Sequence, residues 1–225
     1  SFPHPNALAG FYLLLYTYFL FLKPHPVLPA TKPLFLALCT LLILFSFSKI
    51  AICGVLIVTA IFIFKEMYEC LICAISKIAV PLVLVLLVFA TQGDHESMSK
   101  RVYLAQSAVS IIRDHPLTGV GMGNYLYAQS AFPISYEYFF LQPVHNIFLL
   151  GLSELGIPLF LIIAYYLMRK MLSKKFLISH FSFLILTSVI VYTGMFDHYW
   201  LTLQQNALLV PVVFGLLQKH KSVVK

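Results

Sequence analysis

The sequence predicts an all-α polytopic membrane protein, about seven transmembrane helices with one large polar loop. Three observations carry that prediction. Sixty per cent of the 225 residues are apolar and only 10% are charged, a balance foreign to soluble domains of this length. Apolar runs of spanning length recur along the chain. The basic residues gather in short connections that assign the membrane an inner and an outer side.

The runs fall at residues 6–22, 33–48, 50–64, 71–91, 146–168, 177–193 and 201–217. The third is short for a hydrocarbon layer of roughly 30 Å and must borrow flanking residues, and Lys77 and Pro81 interrupt the fourth. The chain opens at Ser1 inside FPHPNALAGF, without a signal-peptide pattern. It reads as the C-terminal piece of a longer protein, with residues 1–225 forming one membrane domain.

Placing the polar segment 92–145 outside puts connections 23–32, 65–77 and 169–175 and the tail 218–225 inside. Those stretches hold most of the basic residues: Lys23, Lys32, Lys65, Lys77, Arg169, Lys170, Lys174, Lys175, Lys219, Lys221 and Lys225. Lys49, Lys100, Arg101 and Arg113 stay outside. The net charge of +7 is therefore mostly a topology signal. It forms no basic face, and no nucleic-acid partner is expected. The same topology collects His4, Asn6, Lys49, Asp197 and His198 with the large loop on the outer side. Ionisable groups at the edge of hydrocarbon are costly and usually mark a site.

Within the loop, residues 96–113 read as an amphipathic helix. Leu104, Ala105, Ala108, Val109 and Ile112 form its apolar stripe, and the His115–Pro116 pair stops it. Arg101 stands at the edge of the stripe. GVGMGN follows, with Gly119, Gly121 and Gly123 alternating. Such glycines let backbone N–H groups converge on an anion, as phosphate nests do, although a flexible turn has the same composition. Two residues before HNIFLLGLSELGIP, Pro143 marks a helix start, which places His145 in the first turn, a position for a neutral base. Glu154, nine residues on, is about half a turn out of phase with His145 and roughly 13 Å away along a helix axis. Its expected role is structural, a hydrogen bond to a neighbouring span.

Cys39 and Cys53 lie in apolar runs and read as small buried hydrophobes. Cys70 and Cys73 form a single CxxC at an inner edge, with neither a second pair nor a nearby histidine, so no metal site is expected there. The outer side shows no DxD pair and no cluster with ligand spacing. No metal and no cofactor are expected.

Taken in order, HPNALAG, an SK pair closing an apolar run, R–x11–RDHPLTGVGMGN, HNIFLLGLSELG and FDHYWLTLQQ resemble the O-antigen ligase and Wzy polymerase family over nearly the whole chain, His4 to about Gln205. The resemblance implies a GT-C-like glycosyltransferase of the bacterial inner membrane, with 92–145 as its periplasmic loop and its active face periplasmic. It implies transfer of a glycan from undecaprenyl pyrophosphate to a hydroxyl of lipid A-core, another glycan or a protein. Arg101 matches the arginine that opens the family's loop helix, and His145 matches its loop-ending histidine. Lys49 stands where the family usually has arginine, which keeps the charge but loses the bidentate fork. On this reading Arg101 and His145 are catalytic, as pyrophosphate binder and base. Lys49, Arg113, Gly119, Gly121, Gly123, Asn146, Asp197 and His198 bind substrate, and Glu154 is structural. One displacement without a covalent intermediate implies inversion. The other class open to the sequence is a transporter or flippase of lipid-linked or small polar substrates. Those usually hold ionisable groups near the midplane on broken helices, whereas most here lie at the outer boundary.

Overall fold

The computed structural model describes residues 4–22, 31–66, 95–132, 141–171 and 181–223. The run 71–91, the Cys70–Cys73 pair and the basic residues 23, 77, 174, 175 and 225 lie outside the described residues. Among the described residues the only regular structure is helical: α1 (Pro5–Phe21), α2 (Thr31–Phe45), α3 (Lys49–Glu66), α4 (His95–Asp114), α5 (Tyr125–Ser130), α6 (Ile147–Leu155), α7 (Ile157–Met171), α8 (Phe181–Gly194), α9 (Tyr199–Thr202) and α10 (Gln204–Val223). Each apolar run that falls on described residues coincides with one of these helices or with a consecutive pair. The chain divides into two compact units.

The first unit contains α1, α2, α3, α10 and nearly all of α8. His4 caps α1 by accepting the Asn6 N–H, and Pro5 sits where a missing N–H costs nothing. Helices α2, α3 and α10 pack on α1. Lys32 on α2 donates to the Leu20 and Leu22 carbonyls at 3.3 and 2.8 Å, placing a cation on the negative end of α1. Tyr16 and Thr59 share a hydroxyl hydrogen bond of 2.7 Å, and Asn206 of α10 donates to the Ala7 carbonyl at 3.0 Å. Among the described residues no helix is long and apolar enough to cross a membrane. Helix α2, at 15 residues, runs about 22 Å against a hydrocarbon layer of roughly 30 Å.

The second unit contains α4 to α7 and the segment 194–201. Its core is Ala108, Ile111, Tyr125, Val144 and Leu150. Helix α4 buries Leu104, Ser107, Ala108 and Ile111, while Val109 is 45% exposed. The inward face is thus rotated from the expected stripe, because Ser107 packs inward beneath Tyr125 and Val109 turns out. Small residues let α4 and α6 approach closely, and the Ser153 hydroxyl donates to the Leu149 carbonyl and, across the crossing, to that of Ala108.

The run 146–168 is not one helix. It breaks at Gly156, whose φ of +74° and ψ of +163° lie in a region essentially reserved for glycine. A Cβ there would meet the Leu117 carbonyl oxygen at 2.5 Å.

Candidate functional site

His145 is not in a first helical turn. Asn146 is the N-cap of α6, so His145 precedes the cap, in a bend closed by the Asn146 N–H donating to the Val144 carbonyl at 2.7 Å, next to backbone that Tyr125 tethers. The Tyr125 hydroxyl meets Ser107 Oγ at 3.3 Å and accepts from the backbone of Val144. Burial is the main reason that its acidity is suppressed, to a pKa of about 12 despite those two hydrogen bonds.

The turn after α8 supplies the partners. His145 Nδ1 lies 3.4 Å from Asp197 Oδ1, and His198 Nε2 lies 3.9 Å from the same oxygen. The two imidazole rings stand 5.2 Å apart, tilted by 47°. Asp197 also accepts its neighbour's N–H, from His198 at 2.8 Å. The Asp197 side chain is 8% exposed, against 16% and 17% for the histidines. Burial alone would raise the pKa of this carboxyl. The hydrogen bond from His145, the charges of His145 and His198 and the His198 N–H outweigh it and hold the pKa at about 2. Asp197 is therefore a carboxylate at any physiological pH.

Two further groups fix the turn. Asn146 Nδ2 donates to the Met195 carbonyl at 3.1 Å, while its Oδ1 accepts from Phe148 and Leu149. Arg101, seven residues into α4, donates to the Phe196 carbonyl at 3.2 Å. A guanidinium carries five N–H donors in a planar fork, and this contact uses one of them. Arg101, His145, Asn146, Asp197 and His198 thus meet around residues 195–198. Asn146 serves here as a cap and a strut.

Arg113 is exposed and stands about 18 Å from Arg101 along the axis of α4, too far to share one pyrophosphate with it. Lys49 opens α3 in the first unit.

The alternating glycines have a partner within the chain. All three have positive φ, and their segment runs along the C-terminal end of α6. Val120 and Gly121 donate to the Ser153 and Glu154 carbonyls at 2.9 and 3.0 Å, which satisfies acceptors that a helix end leaves open. Gly123 donates to the Glu154 side chain, Oε1, at 3.0 Å, and Ile157 closes the joint by donating to the Pro116 carbonyl at 2.8 Å. Glu154 is structural, as expected, but it clasps this loop and no neighbouring span. Of the three glycines only Gly123 donates to the carboxylate, while Gly119 and Gly121 donate to the His115 and Glu154 backbone carbonyls.

The expectation of no ligand cluster on the outer side is corrected by the fold. His145, Asp197 and His198 offer ligand atoms all within 4.8 Å of one another. The residues lie 52 positions apart, so local spacing could not reveal the cluster. The visible signal was an Asp–His pair in an otherwise apolar stretch, assigned to the same side as His145. Tyr125 and its tether of Val144 carried no such signal.

A model of the O-antigen ligase family matches residues 33–164. No curated protein and no solved structure matches the chain. The matched stretch carries Lys49, Arg101, Arg113, the three glycines, His145, Asn146 and Glu154; Asp197 and His198 lie beyond it and join the site through geometry. With more than half of its length matched, the chain belongs to the O-antigen ligase family, whose members are glycan-transferring enzymes of envelope polysaccharide biosynthesis.

Proposed function

We propose that the protein is an inverting membrane glycosyltransferase that moves a glycan from undecaprenyl pyrophosphate to an acceptor hydroxyl, at a site built on His145, Asp197 and Arg101. The observation that carries this reading is the carboxylate beside His145 Nδ1. When Nδ1–H donates to Asp197, the lone pair of a neutral imidazole lies on Nε2, directed away from the carboxylate. Nε2 takes the proton of the acceptor hydroxyl as its oxygen attacks the anomeric carbon. The bond to the pyrophosphate oxygen breaks in the same displacement, and the leaving group departs with its electron pair. Arg101 stabilises the charge that develops there, a role suited to a bidentate fork. With the arginine supplying that charge, transfer needs no metal ion, and activity persists in excess EDTA.

A bilayer location is supported by the outward faces of the helices. Leu34, Leu38, Leu41 and Phe45 of α2 are all exposed, Leu34 at 72% and Phe45 at 74%, and α7 exposes Leu161, Ile162, Ile163, Leu167 and Met168. Apolar surface of that extent is covered by another apolar phase. The proposal includes seven spans and an active face on the periplasmic side, a topology supported by the distribution of basic residues. Cysteines placed at positions 130 and 172 test this: 130 labels in intact cells and 172 only after permeabilisation. The reverse pattern would refute the topology.

Transfer assays with the intact protein test the chemistry. His145→Ala lowers transfer by roughly 10² to 10⁴ while donor binding stays. Arg101→Ala weakens both, and Arg101→Lys recovers part, since a point charge replaces the fork. Transfer at near wild-type rate by a folded His145→Ala protein would sink the assignment of the base.

A further inference from the structure

The three side chains around residues 195–198 have a second property, independent of proton transfer. Two imidazoles and one carboxylate, all partly or fully withdrawn from solvent, are a donor set for a borderline divalent cation such as Zn²⁺. We propose that His145 Nδ1, Asp197 Oδ1 and His198 Nε2 form a site for a single transition-metal ion, and that occupying it switches transfer off.

The geometry comes close to what such an ion needs. Tetrahedral zinc with bonds of about 2.0–2.1 Å holds its ligand atoms roughly 3.4 Å apart. Asp197 Oδ1 is already 3.4 Å from His145 Nδ1 and 3.9 Å from His198 Nε2, and all the ligand atoms lie within 4.8 Å. Closing the set takes side-chain movements of roughly an ångström, and water would fill the fourth position. The surroundings brace two of the ligands. Asp197 is fixed by its neighbour's N–H, and the backbone before His145 is held by Tyr125.

Inhibition follows from the chemistry of imidazole and rests on the role of His145 as base. A neutral ring has one pyridine-type nitrogen. With Nδ1–H donating to Asp197, that nitrogen is Nε2, which can accept a proton. A metal on Nδ1 takes the lone pair there, and the proton formerly on Nδ1 now sits on Nε2. The ring remains neutral and in place but has become a donor where the reaction needs an acceptor. The ion also takes Asp197, so the tautomer cannot be restored until the metal leaves. Such an ion acts opposite to a catalytic metal, lowering the rate as it binds.

Co²⁺ titration of the intact purified protein tests the site, read by the visible absorption of a nitrogen- and oxygen-ligated ion. The wild type develops that spectrum at one equivalent. His198→Ala and Asp197→Asn each weaken it at least about tenfold, and His115→Ala, a histidine outside the cluster, leaves it intact. In parallel, Zn²⁺ inhibits glycan transfer over the range in which it displaces Co²⁺, and EDTA restores activity. A wild type that gives no spectrum, or a spectrum untouched by either ligand variant, overturns the site and leaves the role of His145 to its own variants. Saturation by Zn²⁺ with transfer unchanged overturns the inhibition and the assignment of His145 as base together. Stimulation by Zn²⁺ overturns the inhibitory role.

Discussion

The two units satisfy their polar groups in different ways. In the first, threonine hydroxyls bond back to their own helix, Thr17 to Leu13, Thr40 to Leu36, Thr59 to Val55, Thr187 to Phe183 and Thr193 to Val189, each four residues back, beside interhelical bonds such as Tyr16 to Thr59 and Asn206 to Ala7. In the second, serines back-bond in the same way, but the bonds around the site and the glycine loop join distant segments: His145 to Asp197, Asn146 to Met195, Arg101 to Phe196 and Gly123 to Glu154. Back-bonding of the first kind is available to any apolar helix and specifies little. Long-range polar bonds fix unlike segments in register, and a network that loses one member leaves the others unsatisfied. The threonine back-bonds of the first unit are therefore tolerant of substitution, whereas the network of the second is demanding, and substitutions separate the two.

The largest effect is expected at Asp197. In Asp197→Asn the amide donates to Nδ1, which forces the proton onto Nε2 and removes the base, so transfer falls by roughly 10² to 10⁴. The same variant reports on stability. The carboxyl has its pKa depressed to about 2 from 3.8, so between those values the unfolded chain binds more protons than the folded one. The contribution of Asp197 to stability is complete above about pH 4 and is lost as pH falls towards 2. Denaturation followed from pH 5 to pH 2 shows this decline in the wild type and a shallower one in Asp197→Asn. Parallel curves would break the link between the carboxylate and the fold.

Gly156→Ala comes next. It must hold a strained φ and displace the Leu117 carbonyl, which costs about 1–3 kcal/mol from the backbone alone. Thermal unfolding in detergent measures the loss, and loop 116–123 becomes open to proteolysis. A protease-resistant loop at wild-type stability would show that the joint needs no glycine.

Tyr125→Phe should cost about 1–2 kcal/mol, because the Val144 N–H and Ser107 lose a buried partner. It also loosens the backbone before His145, so transfer falls more than binding does. The smallest effect is expected in the first unit. Thr40→Val on α2 keeps the shape and removes only a bond within its own helix, and stability stays within about 0.5 kcal/mol. A loss as large as that from Tyr125→Phe would erase the contrast between the units.

The same contrast explains what could be read in the sequence. Helices of the first unit follow from apolar runs, since hydrophobic length is a local property; 6–22 and 50–64 lie within a residue or two of α1 and α3. The break at Gly156 sits inside a continuous apolar run, where Gly156 and Pro158 are local stop signals, but the crowding that leaves no room for a Cβ comes from the carbonyl of Leu117, a tertiary neighbour. For the site, residue types and their shared side of the membrane pointed to Arg101, His145, Asp197 and His198 separately. That Asp197 orients His145 depends on two segments brought together by folding, and no local period encodes it. Glycine alternation was legible as backbone in special conformations, but two of the three N–H groups go to backbone carbonyls and the third to the Glu154 carboxylate.

The pairing of His145 with Asp197 also sets an order of events during synthesis. The histidine leaves the ribosome 52 residues ahead of its carboxylate, an interval of roughly 3–10 s at ordinary elongation rates. Until that interval ends the imidazole has no orienting partner, whereas Glu154, which clasps the glycine loop, is made only nine residues after the histidine. A chain stalled or truncated before residue 197 would carry a finished clasp, a matched family segment and an unaligned base.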